Sequence, residues 1–359
     1  ATVARAGFTP ADERSIGSWK ARSRAARRGP PGPPVVARAT RRADPGPAPA
    51  PLGDGSDVIV ETETARVERY DTSNPRVAYG MMHEQPALPP LGGKRLLVHV
   101  AVNVEFWPFD QPLPRAVLPA PHGRQPVPDV ANFPWVEYGL RAGMSRLLET
   151  LGARGIRASA LMNAVCCDVY PQCARAVLEA GWEFVGHGWL QRSLQTEADE
   201  AAVIAASLER LRAFSGQPVR GWLGPGLGET FATPDVLHAH GVDWVSDWYV
   251  DDIPCWLATT RGRMVAMPYT VELNDVPIWA VEKHRSDELH RRVEATLEVF
   301  EGELARNPRV LTLALHPHII GVPHRMAWFR RTLDLLLARD DTAFVTGSEL
   351  CDWFTAAAG

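Results

Sequence analysis

The chain has 359 residues, of which 45% are hydrophobic and 22% charged, with a formal net charge of −4 and five cysteines. These values exclude a disulfide scaffold, which needs more cysteine, and wholesale disorder, which needs more charge and less apolar content. No run of about 18 consecutive apolar residues is present, so a membrane-spanning helix is not expected.

The mild net charge hides a division. Residues 1–50 carry nine Arg and one Lys against three acidic residues, a net of +7, which leaves −11 for the remainder. All eleven histidines and eleven of the twelve tryptophans lie in that remainder. Residues 1–55 form a basic tail rich in Pro, Arg and Ala, with too little apolar content to repay the entropy of ordering. No aromatic residues interleave its arginines between Ala21 and Pro51, so nucleic-acid binding is not expected. The tail also lacks the apolar core of a secretory signal, and a cytoplasmic location is expected. Residues 56–93 read as an extended lead-in, with a short strand over Asp57–Glu61 and then Pro86, Pro89 and Pro90 laid over the body.

From residue 94 strands and helices alternate. Leu96–Val104 is a β-branched run suited to a buried strand. Helical spacing follows over 136–152, then a strand over Arg157–Met162, a helix over Tyr170–Ala180 and a strand over Trp182–Gly186. A helix over 197–214 ends at Gly216, and Val219–Leu223 is the next strand. Thr233-Pro234 reads as an N-cap with proline at the first helical position, opening a helix that stops before Gly241. Short strands over Asp243–Val245 and Met264–Pro268 precede a polar-faced helix over 285–305. A strand over Val310–Leu315, a helix over 323–338, a strand over Ala343–Val345 and a terminal helix complete the chain. Such a run of strand–helix units predicts one α/β domain over 94–359, a parallel sheet curled into a barrel with helices outside.

The polar motifs recur at the C-terminal ends of the strands, the face on which α/β barrels carry their sites. They are Asn103-Val-Glu105-Phe-Trp107, His187-Gly-Trp189-Leu-Gln191, Gly221-Trp-Leu-Gly-Pro-Gly226, Asp247-Trp248 with Asp251-Asp252, Tyr269 with Asn274-Asp275, and His316-Pro-His318. Together they resemble the polysaccharide deacetylase superfamily (carbohydrate esterase family 4, or NodB-homology), and within it the allantoinase-type branch. The resemblance covers roughly residues 94–350. It implies a distorted (β/α)7 barrel and hydrolysis of a non-peptide C–N bond in a cyclic ureide, imide or acetylated sugar.

The chain departs from the superfamily's pattern at several positions. Two strand-one aspartates are replaced by Asn103 and Glu105, and the second histidine of the His-x-x-x-His pair by Gln191. An arginine expected near Leu223 is missing, while His316 is retained. Gln is a poor zinc ligand, so no metal or other cofactor is expected. If a divalent cation such as zinc is held, Glu105 and His187 are its ligands.

Glu105 is the candidate general base, with Phe106 and Trp107 as apolar walls that would raise its pKa toward neutral. The alternative is a solvated or salt-bridged carboxylate. The resemblance makes His316 the proton donor to the leaving nitrogen, where a lone histidine after an apolar strand is more often structural. His187 would orient the water or polarise the carbonyl. Backbone N–H groups around Gly224, Pro225 and Gly226 could line an oxyanion pocket, or simply form a turn. Trp107, Trp189, Trp222 and Trp248 are expected to wall the pocket. Asn103, Gln191, Tyr269, Asn274 and the carboxylates Asp247, Asp251, Asp252 and Asp275 are expected to bind substrate there. Local acidity on that face suits a neutral ring rich in N–H donors. The expected partner is a small molecule, with neither nucleic acid nor membrane, and the resemblance allows a homo-oligomer. The competing readings are a metal-dependent N-deacetylase of acetylated sugars and a non-catalytic ligand-binding barrel.

Overall fold

The computed structural model describes residues 72–120 and 123–359. The basic tail and the strand expected over Asp57–Glu61 lie outside the described residues. Among the described residues, no helix is long and apolar enough to cross a membrane.

The strands are β1 (Leu96–Val104), β2 (Ser159–Met162), β3 (Glu183–Gly186), β4 (Gly221–Trp222), β5 (Trp244–Val245), β6 (Cys255–Thr259), β7 (Gly262–Ala266), β8 (Arg309–Leu315) and β9 (Thr342–Val345). They form one sheet in the order β6-β7-β5-β4-β3-β2-β1-β8, and β9 also pairs with β1. All nine residues of β1 are buried, as expected of a parallel strand covered on both faces. Its first half pairs with β9 (Leu96–His99) and its second with β2 (Ala101–Val104), while β8 runs along its other edge. Closure on the far side is slight: an isolated parallel bridge, Asn274 to Ala314, carries the segment after β7 to β8. The sheet is therefore a curled, incompletely closed barrel of the distorted (β/α)7 type.

Two departures from the sequence reading concern the strands. β4 and β5 are only two residues long, and large indoles lie over the glycines of the strands beside them. A Cβ on Gly186 would lie 2.4 Å from the Trp222 ring, and one on Gly221 would lie 2.1 Å from the Trp244 ring. Trp222 and Trp244 are fully buried, so Trp222 is core filling. The second departure is β6, which is absent from the sequence reading and pairs antiparallel with β7. Its residues are mostly half-exposed, so Cys255–Thr259 lacks the buried apolar run that marks the other strands. The helix expected to be capped by Thr233 starts at Thr233 itself, whose hydroxyl instead accepts from the Thr230 N–H (2.8 Å). All five cysteines are free thiols.

At the N-terminal end of the barrel a polar network ties the last helix (Gly347–Ala358) to the sheet. Glu183 accepts from Ser159 Oγ (2.7 Å), Gly347 N–H (3.0 Å), Ser348 N–H (3.1 Å) and the Ser348 hydroxyl. A carboxylate at a helix N-terminus satisfies its unpaired amides and opposes its dipole. His99 Nε2 contacts Ser159 Oγ at 2.9 Å, and burial lowers the His99 pKa to about 4, so this end stays neutral at His99. Glu183→Ala should therefore lower unfolding free energy by about 2–4 kcal/mol through unsatisfied buried donors. Glu179→Ala, on the exposed face of the preceding helix, should change it by less than about 0.5 kcal/mol in the same urea titration.

Candidate active site

The C-terminal ends of β1, β3 and β8 converge on a cavity of about 380 Å³. Glu105 lies just past β1, His187 just past β3 and His316 just past β8, and all three are at least 93% buried. Glu105 Oε1 lies 3.7 Å from His187 Nε2 and 3.4 Å from His316 Nε2. Its other oxygen accepts the Trp107 indole N–H at 2.9 Å. One carboxylate oxygen thus faces two imidazole nitrogens.

Each imidazole is fixed from behind. His187 Nδ1 donates to the Leu223 carbonyl at 2.7 Å, a contact only an N–H can make. In the neutral ring Nε2 is then the acceptor nitrogen, and it is buried with no partner. His316 Nδ1 meets Asp275 Oδ1 at 2.7 Å. Asp275, fully buried, also accepts the backbone N–H groups of His316 (2.7 Å) and Ile320 (3.2 Å) through Oδ2. Burial opposes a charge on His316, yet Asp275 and Glu105 outweigh it and raise the pKa to about 9. Burial likewise would raise Glu105, but the His316 charge holds its carboxyl well below the usual range. The expectation that Phe106 and Trp107 raise Glu105 toward neutral is thus overturned: Trp107 meets the carboxylate with its N–H, and the histidines decide its charge.

The loop bearing His316 is seated by close backbone packing. The helical segment over 133–152 contains a π-turn at Gly139–Gly143. A Cβ on Gly139 would sit 2.4 Å from His318 N, and one on Gly143 would sit 2.0 Å from the Pro317 carbonyl oxygen. Only glycine lets the helix approach that loop so nearly. His318 is buried edge-on between Trp107 and Trp135, with ring centroids 5.5 and 4.6 Å away, and burial lowers its pKa to about 3. It is a neutral wall behind His316.

Of the residues singled out in the sequence, Asn103, Glu105, Trp107, His187, Gln191, Pro225, Gly226, Tyr269, Asn274 and His316 line the cavity. Asn103 Nδ2 donates to Tyr269 Oη (3.0 Å) and the Leu315 carbonyl (3.2 Å), joining β1 to the β7 and β8 ends. The others lie off the lining. Trp222 is core, Trp189 packs half-buried against the core, and the Trp248 indole N–H is given to Glu229 (2.8 Å). Asp247 accepts the Gly224 N–H through both oxygens (2.9 and 2.8 Å), which removes that amide from any oxyanion pocket. Pro225 has no N–H to offer. Asp251 accepts from Gln85 (2.6 Å) and Asp252 N–H (2.7 Å). The Asp252 carbonyl accepts from Val310 N–H (2.8 Å), at the opposite end of β8 from His316. Asp275 sits behind His316, off the lining. The acidic face expected from the sequence therefore does not form, since of these carboxylates only Glu105 reaches the cavity.

Asn163, at the end of β2, escaped the sequence reading. Its Oδ1 accepts the Phe106 N–H (2.9 Å), and its Nδ2 donates to the His187 carbonyl and to Gln191 Oε1 (3.3 Å). It thus locks the β1 and β3 loops together, and its only sequence signal is a polar amide ending an apolar strand. Arg115, Ser193 and Leu227 are further lining residues without a motif.

The zinc used by the superfamily that the motifs resemble does not fit this donor set. Catalytic zinc takes three protein ligands, whereas Glu105 and His187 supply two and Gln191 is spent on Asn163. Among the described residues, no three His, Cys, Asp or Glu side chains are arranged to hold a metal ion.

No family model matches the chain. In sequence it is 23% identical over 285 residues to a Schizosaccharomyces pombe (strain 972 / ATCC 24843) protein named "Putative polysaccharide deacetylase", covering 74% of this chain and 87% of that one. Among solved structures it is similar to a "probable Polysaccharide deacetylase" from Pseudomonas aeruginosa PAO1 (TM-score 0.65) and to "Puue Allantoinase" (TM-score 0.66). Each is 23% identical and covers 76% of this chain and 95% of the other. The chain has the polysaccharide deacetylase fold. Within that fold, the Glu105–His316–Asp275 series lies at the mouth formed by the C-terminal ends of β1 and β8.

The dependence of His316 on Asp275 is measurable. His316 has a folded pKa above its ordinary 6.5, so its charge stabilises the fold fully below about 6.5, and that contribution is lost as pH rises through about 9. In Asp275→Asn, NMR titration of the His316 ring should show proton loss below about pH 8, and the alkaline part of the stability profile should flatten.

Proposed function

We propose that the chain hydrolyses a non-peptide C–N bond in a small cyclic amide, with imides and ureides of the allantoin type as the best candidates, without a metal. The observation that carries this reading is the single Glu105 oxygen facing two imidazoles of opposite role. His316 is a cation held by Asp275, and His187 presents an acceptor nitrogen fixed by Leu223. The allantoinase among the similar structures is a further support for the ring substrate.

In this mechanism the water lies between Glu105 and His187. Glu105 takes a proton from the water as its oxygen attacks the carbonyl carbon, with His187 Nε2 accepting the second O–H and aiming the lone pair. The C–N bond then breaks as His316 gives its Nε2 proton to the departing amide or urea nitrogen, so that group leaves neutral. Glu105 now holds a proton that His316 lacks, and the two atoms are 3.4 Å apart. Return of that proton restores the starting ion pair. A strongly acidic Glu105 is a weak base in water. Moving its proton to His316 within the same buried pair keeps the cycle close to balanced.

Glu105→Gln and His316→Ala should each lower kcat/KM by about 10²–10⁴-fold on a panel of hydantoin, allantoin and succinimide. The wild-type rate should fall above about pH 9, as His316 loses its proton, and should be unaffected by excess chelator. Retained turnover in either variant would sink the mechanism. Loss on chelation, with N-acetylglucosamine oligomers as the better substrate, would replace it with metal-dependent deacetylation.

A further inference from the structure

The cavity lining carries three charged side chains: Glu105, His316 and Arg115. The first two answer each other, and His316 is answered again by Asp275. Arg115 differs. Among the described residues it has neither an ion-pair partner nor a hydrogen-bond acceptor, although it is half-buried at the cavity wall. Its charge is felt at His318, the ring directly behind His316, where it helps lower the pKa. Every other carboxylate the sequence placed near this mouth is engaged elsewhere or off the lining, so nothing there neutralises the guanidinium.

The loop holding Arg115 is fixed on both sides. Two residues before it, Leu113 is buried in a small cluster with Trp107 and Val136. Two and three residues after it, the N–H groups of Val117 and Leu118 both donate to Asn132 Oδ1, at 2.9 and 2.8 Å. Asn132 is itself buried, donates back to the Leu118 carbonyl (3.0 Å) and is held by Asp129 (2.8 Å). The backbone around Arg115 is thereby set before any ligand arrives, which lowers the cost of using its guanidinium as a contact. Arginine presents a planar fork of N–H donors whose geometry matches a carboxylate.

We infer that Arg115 is a specificity-determining residue that binds a carboxylate carried by the substrate, so that the site selects small cyclic amides bearing one negative charge. One unanswered cation in a cavity of about 380 Å³ matches one carboxylate and leaves a dianion half-compensated. The inference takes its reacting ring from the amidohydrolase reading, but the anion contact can be tested without turnover.

The test uses two compounds with the same ring, hydantoin-5-acetate and hydantoin, and the full chain as wild type, Arg115→Ala and Arg115→Lys. Calorimetric titration should show the wild type binding hydantoin-5-acetate about tenfold or more tighter than hydantoin. Arg115→Ala should erase most of that ratio, Arg115→Lys should keep part of it, and added salt should shrink it in the wild type. Turnover of the pair should show the same ratio in kcat/KM. An Arg115-dependent binding preference without turnover of either compound would uphold this inference and remove the hydrolase reading. Equal binding of the two compounds by the wild type, a ratio unchanged in Arg115→Ala, or no binding of either compound would overturn it. Unchanged thermal unfolding of the variants shows that a lost ratio is not lost folding.

Discussion

Asp275 is buried beneath the barrel mouth, and its three contacts determine both the shape and the charge of the site. Removing a carboxylate from water is costly unless hydrogen bonds and a cation replace its hydration. Here two backbone amides and the His316 ring replace it, and the ion pair with protonated His316 adds to them. The neighbouring Asn274 makes the isolated bridge to β8 that brings this segment to the sheet's free edge. Closure of the barrel and protonation of His316 therefore depend on the same turn. Glu105 sits downstream of this arrangement: its ionised state follows from the His316 cation, which follows from Asp275.

The same constraint limits which side chains at the mouth are free to act as donors to a cation. A histidine pair meeting a cation needs both rings as bare acceptors. With Gln191 tied to Asn163 and the His316 cation favoured by Asp275, the mouth holds one ion pair and one further ring. That set suits moving protons between fixed atoms. The second-row residues share the task. Leu223 fixes His187 through its carbonyl, Trp107 steadies the far oxygen of Glu105, and Asn163 joins the two loops that carry them. Glycines at 139 and 143 let the neighbouring helix press against the His316 loop, so its position is set by packing and not by the loop's own geometry.

The strand-end motifs were legible because a parallel barrel sends every strand's C-terminus to one face, so chain position predicts spatial position. That argument brought Glu105, His187 and His316 together correctly. It failed where the chain leaves the strand end before the residue of interest is reached. Asp251 and Asp252 stand on a loop running back toward the hairpin, and Asp247 turns to cap Gly224. Trp222 failed for another reason. It is within a strand, and the glycine beside it on β3 invites the ring into the core.

What the sequence determined by itself was the alternation of strands and helices, the barrel face on which the polar motifs gather, and the residue types found there. Hydrophobic period and motif placement are local properties, and they survive without coordinates. The tertiary structure alone decided the charge of each group, because pKa values follow from burial and from partners distant in the chain: 170 residues separate Glu105 from Asp275. It also turned an acidic face read from composition into a cavity with one unanswered arginine. Which carboxylates reach a pocket depends on where loops turn, and no count of charges holds that information.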